Sequence, residues 1–136
     1  MRNLLISASL VLCLVTGARA DTREYEKQEL ARYQKYAGGP IDEFRMTSLF
    51  RWQVVGPQSV VVWSTIRDAY LITVDMPCAN LEWTHALGLT QSQKWTVSRK
   101  FDFVAFDKQR CTISQIRPID LAVMSKDTQA EKPVKS

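Results

Sequence analysis

The chain is poor in the residues that most chemistry needs. It has one histidine, His85, in 136 residues, and three cysteines, Cys13, Cys78 and Cys111. A serine or cysteine nucleophile needs a base beside it, and His85 is the one imidazole available. No G-x-S-x-G elbow is present to present such a serine. Glycine is scarce too, at five residues, two of which are Gly38-Gly39. Neither G-x-x-x-x-G-K-[ST] nor G-x-G-x-x-G occurs, so no glycine-rich loop cradles a phosphate. A net charge of +4 is too small to read as a nucleic-acid footprint. Past the first twenty residues no apolar run reaches membrane length, so no transmembrane segment is expected in the mature chain. No cofactor is expected, and with a single histidine no metal site is expected either.

What is there begins with a targeting pattern. Arg2 gives a positive start, Leu4–Val15 is an apolar run, and Ala18-Arg19-Ala20 has the small-x-small form of a signal-peptidase site. The run is too short to cross a bilayer comfortably as a helix, so residues 1–20 read as a signal peptide rather than an anchor. Leu12 before Cys13 argues against a lipid-attachment site. Cleavage near Ala20 removes Arg2 and Arg19 and leaves 16 basic against 14 acidic residues, a charge of +2. The expected product is exported, periplasmic or secreted. It consists of one domain over residues 21–124 and a disordered polar tail over residues 125–136.

Export changes the cysteine count. Cys13 leaves with the signal, and an even pair in an oxidising compartment favours a Cys78–Cys111 disulfide. Such a bridge closes a loop of about 34 residues, worth roughly 3–4 kcal/mol in the chain-entropy model. A redox pair is the alternative, but those cysteines usually stand as C-x-x-C at a helix start.

Periodicity gives the fold class. Asp21–Ala37 reads as a helix: Thr22 can cap it, Leu30, Tyr33 and Ala37 share a face, and Gly38-Gly39-Pro40 stops it. The period then falls to two. Strands are expected at Ile41–Met46, Phe50–Val55, Val60–Thr65, Ala69–Val74, Lys94–Ser98, Phe101–Phe106 and Cys111–Ile116. Val60–Thr65 is apolar on both faces and so central. Asn80–Leu87 has room for a short helix with Leu81, His85 and Trp83 packed, and Leu121–Met124 for a last short strand or turn. The architecture is α+β: an N-terminal helix packed on a mostly antiparallel curved sheet or partial barrel of about seven strands.

Two acids stand among apolar neighbours. Asp102 lies between Phe101 and Phe103, and Asp120 follows Arg117-Pro118-Ile119. A carboxylate pair can run glycoside chemistry if the groups meet in a cleft. The plainer reading gives each acid a hydrogen-bonding or ion-pair role, with Arg99, Arg117 or turn amides as partners. A strand Asp alternating with Phe is expected to point away from their face, toward solvent. Of four tryptophans, Trp52 and Trp63 fit strand cores, whereas Trp83 and Trp95 flank the irregular segment and are the surface candidates. Lys94, Arg99, Lys100, Lys108 and Arg110 follow along the late strands, as a patch for anionic envelope components or as a solvated face.

The stretches Val61-Val62-Trp63-Ser64-Thr65, Ala69-Tyr70-Leu71 and Pro77-Cys78 form one half of a pattern. Phe101-Asp102-Phe103-Val104 and Cys111-Thr112-Ile113-Ser114-Gln115-Ile116-Arg117-Pro118-Ile119-Asp120 form the other. Together they resemble a family of small exported bacterial proteins of unknown function. The resemblance implies two recurring cysteines, and no activity, cofactor or catalytic residue. The leading functional expectation is a non-enzymatic, disulfide-stabilised binding or accessory domain of the envelope. Its candidate contacts are Trp83, Trp95, Asp102, Arg117 and Asp120. The alternatives are a small hydrolase using Asp102 or Asp120, and an inhibitor or accessory subunit of another exported protein.

Overall fold

The computed structural model describes residues 18–131. Of residues 1–20, where a signal peptide is expected, residues 1–17 lie outside the described residues and Ala18–Ala20 enter the first helix. Helix α1 spans Ala18–Lys35. Strands follow at β1 Glu43–Arg45, β2 Arg51–Val54, β3 Ser59–Trp63 and β4 Ala69–Val74. A single 3-10 turn, Leu81–Trp83, stands where a short helix was expected. Then come β5 Gly88–Leu89, β6 Thr96–Ser98, β7 Phe103–Phe106, β8 Gln109–Ile119 and helix α2 Leu121–Glu131.

Six strands form one antiparallel sheet in the order β2-β3-β4-β8-β7-β5, curled into a half-barrel, and β1 pairs with β6 as a separate ribbon. The α+β class and the meander of β2, β3 and β4 match the period-two reading. Strand β3 is buried at every residue, because its two faces serve two cores. Val60 and Val62 join Ile72, Val74, Leu81, Val104, Ile113 and Ile116 inside the curl. The ribbon closes that core with Phe44 and Val97, and Phe44 stacks on Tyr70 at 4.1 Å between centroids. Val61, Trp63, Ala69, Leu71 and Ile119 face the helices and meet Tyr33 and Met124. Helix α1 is seated there by an edge-to-face contact of Tyr33 with Trp63 and by Tyr33 Oη donating to Gln53 Oε1 at 3.0 Å.

Strand β8 serves two neighbours, pairing with β4 and with β7. The register shifts where Thr73 pairs with Gln115 but Val74 pairs with Ile113. Ser114 is the extra residue of a bulge, and its Oγ donates to the Thr73 carbonyl at 3.0 Å. Ile113 and Ile116, three apart, therefore reach the same core. Strands β7 and β8 turn through Asp107 (φ 47°) and Lys108 (φ 63°), the two positive φ values of a type I′ hairpin. The Cys78–Cys111 bridge is present, with Cα atoms 5.8 Å apart and both residues buried in the inner core.

The C-terminal region differs from expectation. Leu121–Glu131 is helix α2, not a short strand or turn followed by a disordered tail; residues 132–136 lie outside the described residues. Asp120 starts it, its Oδ1 accepting from Val123 N at 3.1 Å and its carbonyl from Met124 N at 3.1 Å. Met124 is buried against the outer core, and Tyr36 Oη donates to Asp127 Oδ2 at 2.7 Å. The described residues hold eight strands; the one that alternation did not reveal is β5, Gly88–Leu89, at the edge of the six-stranded sheet.

Candidate functional site

Asp102 is the main correction to the sequence reading. It precedes β7 instead of lying within it, and it is 2% exposed, not turned to solvent. An ionised carboxylate in that setting needs donors, and it has four. Oδ1 accepts from Ser92 N at 2.6 Å and Thr90 Oγ1 at 3.0 Å. Oδ2 accepts from Ser98 N at 2.7 Å and Ser92 Oγ at 3.2 Å. Asp102 N donates to the Ser98 carbonyl at 2.9 Å, and Phe103 N to Thr90 Oγ1 at 2.8 Å. One carboxylate thus ties the start of two turns to the start of β7.

Each turn carries a lysine followed by an aromatic ring. The first closes with Thr96 N donating to the Gln93 carbonyl at 3.1 Å, and its tip is Lys94-Trp95. Trp95 has φ 61°. A bulky residue in the left-handed region costs on the order of 1–3 kcal/mol and persists where its surroundings over-determine it. Here the Trp95 carbonyl accepts from Met46 N at 2.9 Å, and the Met46 carbonyl accepts from Gln91 Nε2 at 2.6 Å. The indole is 41% exposed, with Lys94 Nζ 5.4 Å from its ring. The second turn, between Ser98 and Asp102, carries Arg99-Lys100-Phe101. Arg99 pairs with Asp42 at 3.2 Å, while Phe101 is 64% exposed.

Asp120 is not near this node. Phe103 pairs with Thr112, and Asp120 follows Ile119 at the far end of β8. Seven residues of strand correspond to about 20 Å, beyond the reach of a carboxylate pair. Asp120 caps α2, as described. Arg117 lies at the same junction, where Nε donates to the Gly38 carbonyl at 2.8 Å and Nη2 to that of Ala37 at 3.1 Å. Both residues therefore join α1, β8 and α2 together. Trp83 stands apart, exposed on the 3-10 turn, where it lines a groove of about 210 Å³ with Met76 and Pro57. His85 is exposed instead of packed. Lys108 and Arg110 sit on the β7–β8 hairpin beside an open groove of about 510 Å³, so the five late basic residues divide between two places.

The carboxyl pair that does meet is one the sequence concealed. Glu26 of α1 and Glu82 of the 3-10 turn line a groove of about 310 Å³ with Arg23, Lys27, Leu30, Val55, Gly56 and Pro57. Burial first, then the charge of Glu82 and a hydrogen bond with it, raise the Glu26 pKa above the ordinary carboxylate range. The two carboxyls share one groove between α1 and the 3-10 turn. Among the described residues, no group of His, Cys, Asp and Glu side chains forms a metal site. Among them, too, no helix is long and apolar enough to cross a membrane.

The geometry is that of a small disulfide-linked α+β domain whose buried Asp102 carboxyl joins two turns to β7. The chain belongs to DUF6491, a family of unknown function, whose model matches residues 1–134. No curated protein and no solved structure matches it.

Proposed function

We propose that this protein is an exported, non-enzymatic binding domain, with the two Asp102-held turns as its contact surface for an anionic component of the envelope. The observation that carries this reading is the four-donor seat of Asp102. A buried carboxylate spent on rigid loops, each ending in an exposed lysine–aromatic pair, fits recognition better than turnover. Export is supported by the N-terminal pattern and by the disulfide, a bond that persists in oxidising compartments. Pre-organised aromatic contacts bind at low entropic cost. Titrating the oxidised protein against cell-wall fragments, phospholipid and lipopolysaccharide tests the reading. Saturable binding that weakens in Lys94→Gln/Lys100→Gln is expected; binding to none of these materials would refute it.

A second reading, an accessory subunit of another exported protein, is favoured by Met76 and Trp83, 57% and 68% exposed on one groove. Co-purification from the native envelope that is lost in Trp83→Ala would support it over the first.

A further inference from the structure

We infer that the partner of the two turns is the surface of an anionic lipid bilayer, with Trp95 and Phe101 entering the headgroup region and Lys94 and Lys100 meeting lipid phosphates. This deepens the proposed function and rests on it.

Shape comes first. Trp95 and Phe101 stand at turn tips, and the grooves described above are lined by other residues. Convex tips cannot enclose a small ligand; they fit a broad surface. The two rings are six residues apart along the chain, so their Cα atoms are separated by no more than about 20 Å.

Chemistry comes second. Aromatic side chains gather at the membrane–water interface, where an apolar body and a wet surround are both satisfied. Juxtamembrane lysines are drawn to anionic headgroups. Each tip supplies one of each kind. Among the described residues, the ion pair of this ribbon is Arg99 with Asp42; Lys94 and Lys100 are exposed, with Lys94 Nζ over the Trp95 ring. Between the tips, Phe44 and Val97 turn into the core, so Arg45 and Thr96 lie on the outward face beside the first tip, and the exposed Glu43, opposite Ser98, lies beside the second. Arg45 is exposed and adds a third cation to the same face.

Rigidity comes third. The Asp102 node and the Met46–Trp95 hydrogen bond fix the backbone of both tips before any partner arrives. Trp95 keeps its left-handed backbone although most residues avoid it. A fixed tip loses little freedom on insertion.

The experiment measures partition of the oxidised protein onto phosphatidylglycerol vesicles, phosphatidylcholine vesicles and soluble polyphosphate. Binding to the phosphatidylglycerol vesicles is expected, falling as salt is raised. Lys94→Gln/Lys100→Gln should weaken it roughly thirtyfold. Phe101→Ala should weaken it several-fold, and it removes only an exposed ring, so the fold is retained. Equal binding to both kinds of vesicle, or partition unchanged in these variants, overturns the inference. Binding to polyphosphate without binding to vesicles overturns the bilayer as partner and keeps the broader reading. Binding to none of the probes, nor to lipopolysaccharide or cell wall, removes both.

Discussion

Asp102 carries the most structure of any single residue outside the disulfide. Asp102→Asn replaces one acceptor oxygen by an amide nitrogen, which then faces donors from Ser92 or Ser98. The expected loss is about 2–3 kcal/mol, the cost of leaving buried donors unpaired. Urea unfolding followed by tryptophan fluorescence measures it, and a loss under half a kcal/mol would contradict the buried node. The sequence placed Asp102 among apolar neighbours but sent it to solvent. Strict alternation through Phe101 and Phe103 turns Asp102 outward, but Phe101 is in a turn and β7 starts only at Phe103. The polar run Thr90-Gln91-Ser92 was the available signal for a buried acceptor, and its meaning depended on which loop folded over it.

At the scale of elements, the two helices are held by different means. Helix α1 lines one groove with Arg23, Glu26 and Lys27, opposite Glu82 of the 3-10 turn and the uncharged β2–β3 turn. The raised Glu26 pKa means the docked helix holds a proton more tightly than the undocked one. Docking is therefore fully favoured below the ordinary carboxylate pKa and is weakened as pH rises through the raised value. Amide-exchange protection over residues 22–29, measured against the intrinsic rate at each pH, should rise on acidification, and Glu82→Gln should flatten that dependence. Helix α2 depends on its cap, so Asp120→Ala should cost about 1 kcal/mol and fray the helix, as read by exchange at Val123 and Met124. The strands and α1 were legible because their periods were long enough to see. Helix α2 was not, because its burial falls on Met124 and on the Tyr36–Asp127 contact, and the rest of it is polar.

For the whole molecule, the Cys78–Cys111 bridge joins the segment after β4 to the start of β8. Cys78→Ser should lower stability by roughly 3–4 kcal/mol and leave one free thiol. Thiol titration of the denatured wild type should find none at these positions, and two would contradict the bridge. Both strands of the β1–β6 ribbon were readable from alternation, within Ile41–Met46 and Lys94–Ser98, but not that they pair, because partners such as Glu43 and Ser98 are far apart in sequence. Strand β5 was not readable, since two residues, Gly88–Leu89, carry no period of their own. The bulge at Ser114 has a consequence for how this chain can change in length. It stores one surplus residue inside β8 without exchanging inside for outside on either side of it. Deleting Ser114 would leave Cys111, Ile113 and Ile116 in their cores and straighten the strand. A deletion between any other two core positions of β8 would turn one half of it inside out. Among relatives, length variation within this strand should therefore be confined to that single place.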